Sequence, residues 1–165
     1  MEGSLFTQMS ASELLERYAS GERNFAGIRV WGDKLNGAIL SNANFSGAVL
    51  RGSMVGTDFT RSYLIGAELI QVNLRNAILQ RTKLYRATLA QSILSGADLT
   101  LANFVYAELD HTVMENTNLC KASLIGASGV DVESWLEQGC IFCHTTMPDG
   151  SKRNDGCQRL GIDLY

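Results

Sequence analysis

With 165 residues, 45% of them hydrophobic, and a formal net charge of −3, the chain is expected to fold as one domain around a substantial core. Its charge is uneven, with ten bases against seven acids over residues 23–127 and net −3 on each of the flanks 1–22 and 128–165, a balance too mild for a nucleic-acid or polybasic membrane partner. No run is apolar enough to span a bilayer, Met1–Ser12 lacks the basic opening of a signal peptide, and four cysteines do not make a disulfide-dependent secreted scaffold, so the cytoplasm is the expected compartment.

Residues 10–20 predict a short helix. Ser10 or Ser12 can cap it, Glu13 stands three residues after Ser10 in a capping-box pattern, and Gly21 ends it. Leu14, Leu15 and Tyr18 give the helix one apolar face. Its expected role is a lid over the first coil of the repeats that begin at Asn24, because an open solenoid end exposes strand edges and apolar side chains.

From Asn24 to about Gly126 a large apolar residue recurs every five positions. The series begins Phe25, Val30, Leu35, Leu40, Phe45, Leu50 and runs on from Met54 to Leu124 without a miss, twenty-one units in all. Two residues before most of these stands Ala, Gly, Ser or Thr; Arg23, Ile28 and Asp33 are exceptions in the first coil, and Val72 lies mid-block. A period of five fits neither a helix nor a strand. It fits a chain that turns a corner once per repeat, and a single proline suits a backbone whose N–H groups are nearly all needed for pairing. Gly27, Gly32, Gly37, Gly47, Gly56, Gly66, Gly96 and Gly126 fall at the corner positions. The rhythm shortens once, to four residues between Leu50 and Met54, where Gly52 predicts a tightened corner.

Past Gly126 the beat stops. Asp131–Gln138 predicts a second helix, capped by Asp131 and covering the last coil with Trp135 and Leu136. Residues 139–165 read as an irregular tail.

Units such as Ala97-Asp98-Leu99-Thr100, Ala43-Asn44-Phe45-Ser46 and Ala102-Asn103-Phe104-Val105 resemble the pentapeptide repeat family, whose motif is A-(D/N)-L-x-x. The resemblance covers about two-thirds of the chain. It implies an all-β solenoid, a right-handed quadrilateral β-helix with one pentapeptide per side, about five coils, and short capping helices at both ends. The expected divisions are a segment 1–22 with its capping helix, a repeat block 23–127, and a capping helix with tail over 128–165. The stretch Phe142–Ser151 also resembles a segment that follows the repeats in cyanobacterial members. At four units per coil, Phe25, Phe45, Leu64, Leu84, Phe104 and Leu124 should stack inside one face, with three similar ladders in the others. In the family pattern the residue before the central one, here Asp58, Asp98 and Glu108, makes backbone and corner contacts.

No active site is visible in the sequence. His111 and His144 are far apart, and neither has a nucleophile or acid–base pair beside it, so no enzyme activity and no cofactor are expected. Cys140-Ile141-Phe142-Cys143-His144 has the C-x-x-C-H spacing that attaches c-type haem, a reading that requires export. Cys140, Cys143, Cys157 and His144 have zinc-ligand types but no second close pair. A disulfide from Cys157 to Cys143 or to Cys140 would pin the tail, free or buried thiols are the ordinary alternative, and Cys120 is expected to face outward alone.

On the surface, Ile65, Tyr85, Val105 and Ile125 align one step after the central residue of one face, with Tyr63 and Tyr106 on the same side. They form a stripe for an unidentified protein partner, or a seat for the folded-back tail. Arg61, Arg81 and Lys121 align at a corner beside Lys83 and Arg86, as a solvated edge or an anion site. The functional expectation is a monomeric, non-catalytic scaffold or interaction module with no membrane or nucleic-acid partner. The alternatives are a DNA-mimicking modulator of DNA gyrase, which the family resemblance suggests and the net positive rod opposes, and metal or haem binding by the C-terminal Cys/His segment.

Overall fold

The computed structural model describes residues 7–31 and 34–161. Gly32 and Asp33, expected at a corner and a small position, lie outside the described residues, as does the stretch before Thr7. The architecture follows from what one pentapeptide does. After a central residue such as Phe45 the chain turns, with Gly47 at φ 65° and the Ala48 N–H returning to the Phe45 carbonyl at 3.0 Å. A positive φ at the third residue of a four-residue turn is the signature of a type II corner. The same bond recurs from Ala67 to Leu64, Ala87 to Leu84 and Ala107 to Phe104. Many corners place a non-glycine residue in this left-handed region, among them Arg61, Arg81, Leu101, Tyr106 and Lys121. The ladder bonds on both sides hold the corner there against its intrinsic cost.

An Asp or Asn before the central residue stiffens the corner. Its side-chain oxygen accepts the N–H two residues on, in Asn44–Ser46 (3.0 Å), Asp58–Thr60 (2.8 Å), Asp98–Thr100 (3.0 Å) and Asn103–Val105 (3.0 Å). Glu108, one methylene longer, does not make this local bond; its carboxylate accepts from Thr88 in the preceding coil at 3.2 Å.

Successive coils pair in parallel through four columns of bridges. One runs Asn24, Asn44, Tyr63, Lys83, Asn103, Ser123, and the others pass through Asp58, Glu68 and Asn73. The offset is twenty residues along most of each column and nineteen across the short step, as in Asn44 to Tyr63. There Gly52 takes φ 91° and its carbonyl accepts the Asn73 N–H at 3.1 Å, so the missing residue is absorbed at one corner and the columns stay aligned.

The central residues are fully buried, and Phe25 and Phe45 stack at 5.4 Å between centroids. Burying each such side chain contributes roughly 1.5–3 kcal/mol gross, largely offset by the entropy of ordering the chain. Most of the small positions are buried too, with exposed Arg23 and half-buried Ala38 and Gly52 as exceptions. At most of those that carry a hydroxyl, it donates to the carbonyl of a central residue in the preceding coil, as in Ser62 to Leu40 (2.8 Å), Thr82 to Phe59 (2.9 Å) and Thr117 to Leu94 (2.8 Å), while Thr112 donates within its own coil to Leu109 (2.8 Å). An interior of large and small residues therefore buries no unsatisfied hydroxyl at these sites.

At the first end β1 (Thr7–Gln8) pairs in parallel with β2 (Ile28–Trp31), itself paired with β3 (Val49–Arg51). Between β1 and β2 lies α1 (Ala11–Ala19), where Ser10 Oγ accepts the Glu13 N–H at 3.1 Å. Leu14 is buried under the helix, and the Tyr18 hydroxyl donates to the Ser41 carbonyl at 2.9 Å. At the other end α2 (Val132–Glu137) is capped by Asp131, and Trp135 is buried and stacked on Phe142 at 6.4 Å.

The tail departs from the expectation of an irregular segment. The five-residue unit resumes after α2: Cys140 and Thr145 take small positions, Phe142 and Met147 central ones, and all four are buried. Ile141 and Thr146 extend two of the bridge columns from Asn118 and Ser123. Thr145 donates to the Leu119 carbonyl at 2.7 Å, and the Cys140 thiol donates to that of Met114, the same contact that hydroxyls make elsewhere. β4 (Thr145–Thr146) then pairs antiparallel with β5 (Lys152–Arg153), and a short 3-10 helix, Cys157–Leu160, follows.

Candidate functional site

One face of the rod carries both surface features singled out in the sequence. Its bridge column holds Tyr63, Lys83, Asn103 and Ser123, and the residues two steps on are Ile65, Tyr85, Val105 and Ile125. The corner before this face carries Arg61, Arg81, Leu101 and Lys121, and the corner after it carries Gly66, Arg86, Tyr106 and Gly126. Tyr106 (54%), Tyr63 (49%), Ile125 (40%) and Ile65 (38%) are exposed, while Tyr85 and Val105 are half-buried between them. The described part of the tail, through residue 161, therefore leaves these four residues uncovered.

The structure brings some of these residues together and keeps others apart. Tyr85 and Tyr106 meet edge to face at 6.0 Å, and the Arg86 guanidinium lies 5.2 Å from the centre of the Tyr85 ring. Tyr106 lies across Gly126, where a Cβ would come within 2.5 Å of the ring. Tyr63 instead lines a shallow depression with Arg61, Arg81, Lys83 and Leu101. Among the described residues none of these three cations forms an ion pair within 4.0 Å, whereas Arg17, Arg51 and Arg153 each do. Leu101, exposed in the basic column, is a member that sequence reasoning missed; its twenty-residue offset from Arg81 and Lys121 was the available signal.

The cysteines do not sit as their spacing suggested. Cys140 points into the core, and Cys143 lies outside the same coil edge with its sulfur bonded to that of Cys157 (S–S 2.14 Å, Cα–Cα 4.7 Å). Haem attachment needs both thiols of the motif at one group, so this arrangement does not fit it. Cys120 is outward but not alone: it is 4% exposed and forms a small buried cluster with Cys143 and Cys157, flanked by Ile141. That correction follows from the resumed repeat, which lays Cys143 over the coil edge of Cys120 through the Lys121 N–H to Cys143 carbonyl bond of 2.7 Å. Burial pushes the Cys120 thiol up, with Lys121 partly offsetting, and pushes Cys140 up to about 12.

These burials make a countable prediction. At about pH 8 a thiol reagent is expected to find no fast-reacting cysteine in the native protein, because a buried neutral thiol is a poor nucleophile. Denaturation without reductant should release the two free thiols, Cys120 and Cys140, and reduction all four. Four thiols before reduction would show the Cys143–Cys157 pair to be open.

A cleft of about 550 Å³ is lined by Asp110, His111, Thr112, Asp131, Ser134 and Trp135. Its polar groups serve the fold. Asp110 accepts from Ser128 Oγ at 3.1 Å, and Asp131 caps α2 through the Ser134 N–H at 3.1 Å. The two hydroxyls in the lining with His111 are also engaged, Thr112 donating to the Leu109 carbonyl at 2.8 Å and Ser134 accepting from Gln138 Nε2 at 2.9 Å.

A family model described as pentapeptide repeats matches in eight copies across residues 34–54, 53–81, 82–119 and 97–128. Among solved structures the chain is similar to Rfr23, a pentapeptide repeat protein from the cyanobacterium Cyanothece 51142, at 25% identity over 72% of this chain and 81% of that one, with a TM-score of 0.53. It is also similar to alr5209, a pentapeptide repeat protein from Nostoc PCC 7120, at 25% identity over 84% and 98% of the two chains, with a TM-score of 0.48. No curated protein matches it.

Proposed function

The chain belongs to the pentapeptide repeat family, and from that premise we propose that it is a rigid, non-catalytic module that docks another protein on the face between Arg61 and Tyr106. The reading takes the rod as a right-handed quadrilateral β-helix of about five coils, monomeric and cytoplasmic, with 1–22 and 128–165 as terminal caps on the repeat block 23–127. No helix among the described residues is long and apolar enough to cross a membrane.

The observation that carries the proposal is the exposed alignment of Tyr63, Ile65, Tyr106 and Ile125 around half-buried Tyr85 and Val105. Large apolar side chains left in water over several coils lower the free energy of association when a partner covers them. The unpaired Arg61, Arg81 and Lys83 beside Tyr63 select a partner whose contacting surface is acidic at that edge. The ladder bonds fix the spacing before binding, so little backbone entropy is lost on docking.

The test is affinity capture from a cell extract with wild type, Tyr106→Asp and Arg81→Glu. One species should be enriched by wild type and lost at least tenfold with either variant, with unfolding midpoints kept close to wild type because both residues are exposed. Capture unchanged by both variants sinks the proposal. The gyrase alternative is an outcome of a parallel supercoiling assay, where no inhibition is expected from a face edged with arginines.

A further inference from the structure

The residues around the tail disulfide are a second set of chemically capable groups, on the same rod but independent of the docking proposal. Cys143 Sγ, Cys157 Sγ and the nearest ring nitrogen of His144 all lie within 4.8 Å of one another. Both sulfurs are buried, and His144 is half-buried. Three parts of the fold converge here. The resumed repeat supplies Cys143 and its corner His144, held at φ 54° with its N–H on Asn154 Oδ1 at 3.0 Å. The 3-10 helix supplies Cys157. The preceding coil supplies Cys120, whose side chain belongs to the same buried cluster.

We propose that, with the Cys143–Cys157 bond reduced, these groups form a zinc site in which Cys143, His144 and Cys157 are ligands and Cys120 completes the tetrahedron. Two thiolates and an imidazole are the donor set of structural zinc sites, and a third thiolate closes such a site against water. Bonds of about 2.3 Å to sulfur and 2.0 Å to nitrogen place tetrahedral ligand atoms roughly 3.5–4 Å apart. The Cys143, His144 and Cys157 ligand atoms, already within 4.8 Å of one another, need only small side-chain rotations to reach that spacing, and the Cys120 side chain turns in from the same buried cluster to supply the fourth bond. Cys140, which the sequence grouped with this set, is excluded because its thiol is committed to the Met114 carbonyl inside the core.

The site is gated by oxidation. A dithiol reductant transfers two electrons and two protons to the disulfide, is itself oxidised to a disulfide, and leaves two thiols on the protein. Zinc then displaces the thiol protons as it binds. A reducing compartment such as the cytoplasm favours the open pair. In either state the 3-10 helix is tied to the resumed repeat, by a sulfur–sulfur bond or through the metal.

Cobalt(II), a spectroscopic substitute for zinc, tests this on the full chain reduced with a phosphine. One equivalent should produce thiolate charge-transfer absorption in the near ultraviolet and the visible bands of tetrahedral cobalt, and one equivalent of zinc should abolish both. The oxidised protein should show neither. His144→Ala, at a partly exposed corner, and Cys120→Ser should each weaken cobalt binding at least tenfold, while circular dichroism reports that the repeat fold is intact. Reduced, folded protein that takes up no metal, or binding that both variants leave unchanged, would overturn the proposal. So would binding that Cys140→Ser alone removes.

Discussion

Gly129→Ala is expected to lower stability by about 3 kcal/mol or more, a loss in the range reserved for specific steric or core defects. A Cβ at this position would stand 2.3 Å from the Asp110 nitrogen, 2.4 Å from its Cα and 2.6 Å from the Leu109 carbonyl carbon. All three are backbone atoms, and the chain on both sides is pinned: the Leu109 N–H donates to the Ser128 carbonyl and the Ser128 N–H to that of Ala107, each at 3.0 Å. The backbone also takes φ 70°, which costs an L residue roughly 1–2 kcal/mol before any clash. Relief requires the segment to lift from the coil, and α2 follows it, drawing Trp135 off Phe142. Denaturant unfolding should show the midpoint shift, and tryptophan emission should move to the red before the repeats melt. Gly21→Ala is the matched control. Gly21 has φ 99° but open space around its Cβ position, so only the conformational cost of roughly 1–2 kcal/mol applies. Equal losses at the two glycines would refute the steric account.

The repeat block could be read from sequence because each of its units states the same small–x–large pattern, and twenty-residue stacking follows once every unit turns one corner. Leu84, Phe104 and Leu124 lie where the periodicity puts them, fully buried. The helix caps were equally readable, since Ser10 and Asp131 act locally on the N–H three residues ahead. The features that stayed hidden depend on contacts across the chain. The unit Cys140–His144 obeys the rule, but α2 interrupts the count and resets its phase, so its residues looked like tail. Reading it as tail made Cys120 look solitary, and made the C-x-x-C pair look like two thiols on one side. In a pentapeptide unit those two cysteines occupy an inward and an outward position, so the spacing that suggested a shared ligand places them apart. The basic depression was only half visible: the arginine column could be counted, but its junction with Tyr63 and Leu101 depends on how adjacent faces meet.

Leu84 and Tyr85 are neighbours in sequence, yet substitutions there should separate stability from binding. Leu84 is wholly buried between Leu64 and Phe104 in its ladder, and its N–H donates to the Asn103 carbonyl at 2.8 Å. Leu84→Ala removes the side chain from a position closed above and below by further coils, where collapse of the cavity is hindered. The expected cost is about 2–5 kcal/mol. Tyr85 is half-buried on the surface against Tyr106 and Arg86, so Tyr85→Asp loses one edge-to-face contact and one cation–π contact. Those contacts together account for about 1–2 kcal/mol at a solvent-facing site. Captured partner should behave in the opposite order. The Leu84→Ala protein that remains folded should bind at the wild-type level, because its outer face is unchanged. Tyr85→Asp should lose capture at least tenfold, because a carboxylate then stands at the centre of the apolar stripe. Parallel denaturation and capture measurements read both effects. Were Leu84→Ala the milder change in stability, the inward and outward assignment of every position along the face would fail, and the docking surface drawn from it with it.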